Sequence, residues 1–450
     1  MAAKVQRGYR PVRLDRPVTA SLNSTLHRLR VHARQIFDAA VRAVDAGDLV
    51  RSAHADGRFL SLSDSKIALI AAGKAARPMT AAFAALLPDA VAQALVVGPA
   101  HPEVQLPVTW ECVEGAHPLP DRESVRAGER ALELARAREP LVVLLSGGAS
   151  SMLAMPAAGL PLDDKRAAIR ALMHAGLGIY DLNCVRKHLS AIKGGQLAAV
   201  AGATLTLAIS DVHHPVEDDA SVIGSGPCVP DPSTFAEALS IARRVDGVPA
   251  SVIRQLERGA AGELAETIKP DDPRMARSEF HVIGNRHTAI AGAATAARAL
   301  GYRVQEIRPP VQGEARDRAI EFVNEARDRL AAAAGPECVL AAGETTVTVT
   351  GPGRGGRNQE FALAAAAALS QFGRDAVLVS AGTDGTDGPT EAAGATVDST
   401  TMARAREAGL DPAASLNAND AYPFFARLDD LIISGPTGTN VGDVMLLLVA

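Results

Sequence analysis

The sequence predicts an α/β protein: a Rossmann-like parallel sheet covered by helices on both faces, followed by a second, mixed α/β domain. Three observations carry this. Short apolar runs alternate with amphipathic helical stretches through the first two thirds of the chain, the pattern of parallel strands joined by helical crossovers. Those runs are nearly continuous in apolar residues, which places both sheet faces in the interior. The 450 residues also exceed the roughly 250–300 at which a single core stops growing, so two domains are expected.

In order, KIALIAAG is the first strand, with a helix after Lys74. ALVVG and PLVVLLSGG follow, the latter leading to a helix from Asp163, and TLTLAISD leads to a helix from Ser233. FHVIGN precedes the helical HTAIAGAATAARALG, and a further helix runs from about Glu314 to Ala334 without a strong internal breaker. The domain boundary is placed at its end. This gives residues 1–22 as an N-terminal arm, 23–334 as the larger domain and 335–450 as the smaller. In the smaller domain ECVLAAGE runs into TTVTVTG, whose alternation suggests a half-solvated strand. An Ala-rich helix (FALAAAAALS), the strand AVLVSAG, a glycine-rich loop and a final strand, VMLLLVA, complete it.

A net charge of −5 with interspersed signs provides no basic field for a nucleic-acid backbone. The four cysteines lie far apart with no C-x-x-C pair, which argues against a zinc site or a disulfide framework and fits a reducing cytoplasm. No apolar run reaches the ~20 residues of a membrane span, and the basic start has no apolar h-region. A soluble, cytoplasmic protein with small-molecule ligands is expected; a homodimer is allowed for.

Function in such a fold sits at the carboxyl ends of the strands. LVVLL runs into Ser146-Gly147-Gly148-Ala149-Ser150-Ser151. Gly147 and Gly148 let backbone N–H groups approach a ligand, and the hydroxyls of Ser146, Ser150 and Ser151 can donate to phosphate or carboxylate oxygens. A tight turn alone would use the glycines; three serines favour an anion cradle. Lys74 stands at the expected start of a helix, where the dipole disfavours a cation by ~0.3–1 kcal/mol, so an anionic ligand is expected beside it. The same holds for Arg357 in GPGRGGRNQEF. There Gly353 and Gly355 expose N–H groups, and Arg354 and Arg357 bring planar forks suited to phosphate.

Carboxylates occupy neighbouring positions: Asp211 after TLTLAIS, Glu344 between two strand runs, Asp384 and Asp387 in SAGTDGTDGP, and Asp443 near TGTNVGD. Among phosphate-binding loops they suit Mg²⁺ or another divalent cation, or a general base. Asp211 and Asp384 are the metal candidates; Asp384 and Asp387 each precede a glycine, and Asp-Gly is also common turn chemistry. His213-His214 precede Pro215 and point to opposite faces of an extended segment, which favours a loop role over metal binding. The chain has no G-x-x-x-x-G-K-[ST] and no protein-kinase H-R-D or D-F-G, and a Rossmann dehydrogenase has weak support.

At these loops the sequence resembles the glycerate 2-kinase family, whose members carry a C-terminal MOFRL domain behind a Rossmann-like domain. The resemblance runs from about Leu26 to the end, through AAGKAARPM, HPLPDRESV, LLSGGASSML, VRKHLSAIKGGQLA, IGSGPCVPDPSTF, GETTVTVTGPGRGGRNQEFAL, SAGTDGTDGPTEAAGA and TGTNVGD. It implies transfer of the γ-phosphoryl of ATP to D-glycerate with a divalent metal, in a cleft between the domains. It marks Lys74 and Arg357 as catalytic cations and Glu344, Asp384 and Asn440 as polar partners, and it places Lys193 with the ligand-binding loops. Two alternatives stand beside it: an NAD(P)H-dependent hydroxypyruvate reductase, a name that proteins of this resemblance have also carried, and a non-catalytic sensor of phosphorylated metabolites.

Overall fold

A computed structural model describes residues 24–59, 66–101, 103–137, 140–330 and 335–450. The expected N-terminal arm, 1–22, lies outside the described residues. The chain forms two compact units, neither contiguous: one comprises Asp38–Thr295 and Pro436–Gly442, the other Ala296–Gly435, Asp443–Ala450 and the described part of Met1–Phe37.

The first unit is built on a six-stranded sheet of β1 (Ile67–Ala72), β2 (Val91–Val97), β3 (Glu111–Val113), β4 (Leu141–Leu145), β5 (Thr204–Ile209) and β6 (Ser278–Gly284). The order is β3-β2-β1-β4-β5-β6, and every pair is parallel. β1, β4 and β5 are buried along their whole length, as continuous apolar runs require when helices cover both faces. Helices start where local chemistry tells them to. Asp121 and Ser124 close a capping box on the helix Arg122–Arg136, and Thr234 with Glu237 closes another on Phe235–Arg243. The strand order reverses between β1 and β4, and in open α/β sheets ligands bind outside the carboxyl ends of the strands at such a switch point.

The second unit carries a mixed sheet of β7 (Arg303–Glu314), β8 (Glu337–Thr346), β9 (Ala376–Gly382), β10 (Gly394–Asp398), β11 (Leu431–Ile432) and β12 (Asp443–Val449), in the order β11-β10-β9-β12-β8-β7. β12, the expected last strand, runs antiparallel between β8 and β9. The helix Arg357–Ser370 packs Phe361, Leu363 and a run of alanines into the core of this unit.

Two readings change. β7 pairs parallel with β8, so the change of texture near residue 334 falls inside this unit and not at its edge. The alternation in TTVTVTG does not extend the strand: β8 ends at Thr346, and Thr348 turns its N–H and hydroxyl onto Glu314. A side-chain acceptor on the neighbouring strand end replaces the ladder there.

Candidate functional site

In the first unit the ends of β1, β4 and β5 come together. Gly73 takes φ +118°, and a Cβ there would meet the Ser146 hydroxyl at 2.4 Å, so only glycine lets β1 leave the sheet this close to the β4 loop. The Lys74 N–H donates to the Gly147 carbonyl at 2.9 Å and the Ala75 N–H to Ser146 Oγ at 3.0 Å. Lys74 therefore leaves a backbone fixed at the switch point, two residues before the helix Ala76–Leu86.

The serines of the predicted cradle are engaged. Ser146 Oγ holds the Ala75 N–H, Ser150 Oγ lies 2.7 Å from Ser225 Oγ, and Ser151 Oγ donates to the Gly148 carbonyl. These hydroxyls shape the loop, and the segment after it is a single helical turn, Ala149–Met152. Lys193 is buried, with Nζ 3.0 Å from the Gly224 carbonyl and 3.5 Å from that of Leu153. Burial, with Lys165 and Arg186 nearby, drives its amine well below the usual lysine range. It ties two loops together from below.

Asn440, remote in sequence, belongs with this unit. Its Nδ2 donates to Asp211 Oδ2 at 2.9 Å. A Cβ on Gly147 would lie 2.4 Å from Asp211 Oδ2 and 2.5 Å from Asn440 Nδ2, so the bare backbone of Gly147 faces this pair. Gly147→Ala is expected to separate Asp211 from Asn440. Michaelis constants should rise about tenfold or more and stability should drop by about 1–3 kcal/mol, read by steady-state kinetics and urea unfolding. Unchanged kinetics would mean that the pair plays no part in ligand handling.

In the second unit Arg357 opens the helix Arg357–Ser370, whose N-cap, Gly356, supplies no side-chain bond. The cap comes from elsewhere. Asp387 Oδ1 accepts from the Asn358 N–H at 3.1 Å and Oδ2 from the Gln359 N–H at 2.9 Å, and a Cβ on Gly356 would collide with Asp387. Arg357 donates from Nε to Asp443 Oδ2 at 2.6 Å and from Nη2 to Asp443 Oδ1 at 3.0 Å, and its Nη1 lies 2.9 Å from Glu344 Oε1. Burial alone would lower the guanidinium's pKa, but Asp443, with Glu344 added, outweighs it and raises the pKa above the ordinary arginine value. Asn358 joins the group, with Nδ2 2.9 Å from Asp443 and Oδ1 accepting from Ser380 Oγ at 2.7 Å.

Glu344 lies within β8, not between strands. Asp384 follows β9, and its Oδ1 accepts from the N–H and hydroxyl of Thr386. Arg354 stacks its guanidinium 4.3 Å from the centre of the Tyr422 ring and pairs with Glu391 at 2.7 Å. Gly353 packs against Ala418, whose carbonyl would meet its Cβ at 2.4 Å, and Gly355 lies against Ala421. These glycines seat the loop on the 418–422 segment.

Asp387 gives the pH dependence of stability. Burial pushes its pKa up from the usual carboxylate range to about 7, with Asp443 adding to the rise and the two helix N–H groups opposing it. In the unfolded chain it titrates near 4, so between about pH 4 and pH 7 the folded state holds the extra proton. The contribution of Asp387 to stability therefore falls as pH rises through that window, by up to a few kcal/mol, and levels off above it, while the depressed amine of Lys193 works in the opposite direction. Urea unfolding of the wild type and Asp387→Asn from pH 4.5 to 8 should show this contribution as a pH-dependent difference between the two; a difference that stays constant with pH would remove Asp387 from that window.

Asn358, Asp387 and Asp443 are what sequence reasoning undervalued. Their signal was present in RNQEF, TDGTDG and VGD, but each reads locally as a turn or helix-start residue.

A doubly wound parallel sheet with glycine-rich and charged loops at its switch point, accompanied by a second unit that presents a carboxylate-held arginine at a helix start, defines a two-unit α/β protein. Residues 32–257 match the model of a domain of unknown function, DUF4147, and residues 337–443 match the MOFRL family. The D-glycerate 2-kinase of Thermotoga maritima is 36% identical over 86% of this chain and 92% of its own length. A protein of Agrobacterium vitis provisionally named a hydroxypyruvate reductase is 37% identical over 92% of this chain and 93% of its own. A crystal structure of glycerate kinase from T. maritima superposes with a TM-score of 0.82 at 34% identity, covering 94% of this chain and 100% of that one. The chain belongs to the glycerate 2-kinase family, with a DUF4147 domain followed by a MOFRL domain.

Proposed function

We propose that this protein transfers the γ-phosphoryl group of ATP to the 2-hydroxyl of D-glycerate, giving 2-phosphoglycerate and ADP. The observation that carries the reading is the likeness, over most of the chain, to proteins named glycerate 2-kinase. The chemistry of the loops supports it. The glycerate O2 attacks the γ-phosphorus, the bond to the bridging oxygen of ADP breaks, and the hydroxyl proton leaves to a carboxylate or water. Such a transfer asks for positioning and for charge neutralisation on the moving group. Lys74 and Arg357 are the cations proposed to neutralise it.

Mg²⁺ carried with ATP needs only one or two protein carboxylates besides the phosphates. Asp211, just beyond β5 in the first unit, and Asp384, just beyond β9 in the second, are each a carboxylate of that kind. The ion would neutralise the β- and γ-phosphate oxygens. Asp384, oriented by Thr386, would meet the ion or take the hydroxyl proton.

Among the described residues no helix is long and apolar enough to cross a membrane. A cytoplasmic location belongs to this reading as well.

The name of the A. vitis relative favours one other reading, reduction of hydroxypyruvate. Incubation with D-glycerate, ATP and Mg²⁺ followed by phosphorus NMR, beside NADH and hydroxypyruvate, separates the two. A 2-phosphoglycerate signal without NADH oxidation supports the kinase, and NADH oxidation without a phosphorylated product rejects it.

A further inference from the structure

We infer that Asn419 is a positioning residue for handling the phosphoryl donor: its buried amide pins the glycine-rich loop 350–356 to the helix that Arg357 begins, and so fixes Arg354 and Arg357 relative to one another. The inference rests on the kinase reading for the identity of that donor. The hydrogen bonds that carry it stand apart from that reading.

The donors of the loop are committed to one segment. Pro352 has no N–H, and the N–H groups of Thr350, Gly351, Gly353 and Arg354 all go to residues 418–420. Gly353 donates to the Ala418 carbonyl at 2.8 Å and Arg354 to Asp420 Oδ1 at 2.8 Å. Asn419 Oδ1 accepts from both Thr350 and Gly351, each at 2.8 Å. Backbone N–H groups only donate, so the end of the amide that faces them is the oxygen. Nδ2 therefore points the other way, where it donates to Glu360 Oε1 at 2.7 Å and lies 3.4 Å from the Thr348 carbonyl. Asn419 is 4% exposed and takes φ +53°. Glycine would adopt that backbone more readily, so the position accepts strain in order to place an amide.

Glu360 carries the link onward. It lies in the first turn of the helix Arg357–Ser370 and is 1% exposed. Its second oxygen, Oε2, accepts from Arg316 Nε at 2.8 Å, and Arg316 Nη2 donates to the Leu416 carbonyl at 2.6 Å. One buried carboxylate thus ties the start of the helix to Asn419, and Asn419 ties it to the loop. Removing the amide leaves Glu360 Oε1 and the N–H groups of Thr350 and Gly351 without that partner. The loop can then shift against the helix, and a misplacement of about 1 Å at reacting groups is worth up to about 100-fold in rate.

The test uses the full chain with ATP, Mg²⁺ and D-glycerate. Asn419→Gly keeps the left-handed backbone and removes the amide. The KM for ATP should rise about tenfold or more, and titration calorimetry should show ATP binding weakened in the same direction. Glu360→Gln sets an amide nitrogen against Nδ2 of Asn419 or Nε of Arg316, and should raise the KM for ATP about 2–10-fold. Adding Asn419→Asp to Glu360→Gln exchanges amide and carboxylate atom for atom. Every donor again meets an acceptor, and the KM should return to within about twofold of wild type. A merely structural network would lower the urea midpoint and the folded fraction, and kcat with them, but KM does not depend on how much of the protein is folded. An unchanged KM for ATP in folded Asn419→Gly, or a double variant no better than Glu360→Gln, would overturn the inference. If Asn419→Gly does not fold, Glu360→Gln and its rescue decide. If the wild type makes no phosphoglycerate and ATP binding follows the same pattern across the variants, the kinase reading fails and the inference stands; a wild type that binds no ATP overturns both.

Discussion

Arg357→Ala is expected to lower kcat for phosphoryl transfer by about 10³–10⁵-fold, the range of an arginine that stabilises a transferring phosphoryl group, and to destabilise the fold as well. The second effect follows from Asp443. Its carboxylate is fully buried and receives two of the guanidinium's donors; with the arginine gone, a buried charge keeps only the Asn358 amide. Removing one partner of a buried ion pair costs about 3–5 kcal/mol. Part of this is relieved because the Arg357 side chain is itself 31% exposed and water can enter. Rapid-quench kinetics and urea unfolding on the same preparation read both effects. Arg357→Lys keeps a charge but not the fork, so it should recover stability more fully than rate. A folded Arg357→Ala within about tenfold of wild-type kcat would remove Arg357 from the reaction.

Lys74→Ala is expected to behave differently: a loss of about 10²–10³-fold in kcat, the size of one lost electrostatic donor, with a much smaller loss of stability than Arg357→Ala. The backbone N–H of residue 74 donates to the Gly147 carbonyl whatever the side chain, so the alanine variant keeps the loop. Residue 74 stands two positions ahead of the helix Ala76–Leu86, and removal of its half-buried side chain should change stability by no more than about 1 kcal/mol. A stable variant that has lost turnover would mark a residue kept for function against its local electrostatics. A variant that loses stability and keeps its rate would show that Lys74 is structural.

Much of the fold was legible because one physical signal dominates each central element. IALIAA, LVVLL and TLTLAI are uninterrupted apolar runs, and β1, β4 and β5 are the strands buried along their whole length at the centre of the parallel sheet. β7 escaped for the complementary reason. It is an edge strand, half-exposed, with Pro309 and Pro310 at an irregularity in its register; edges tolerate proline and show weak patterning. The Thr-Val alternation after Glu344 misled because period-two patterning describes a strand only where a partner continues the ladder.

Lys74, Arg357 and the carboxylates were picked out because charge at a helix start or strand end is a local anomaly, visible in a few consecutive residues. Ser146, Ser150 and Ser151 were picked out on the same local grounds; which partners their hydroxyls meet, Ala75, Ser225 and Gly148, was decided by folding.

The sequence by itself determined the alternation of elements, the α/β class, the family and the identity of the charged loops, since these depend on composition and spacing along the chain. Only the tertiary structure decided that Asn440 reaches Asp211 across more than two hundred residues, that Asp387 caps the helix Arg357 begins, and that Asp443 and Glu344 share one guanidinium unequally. Those are statements about burial and about which donors meet which acceptors. Both quantities arise only when distant strands are laid side by side.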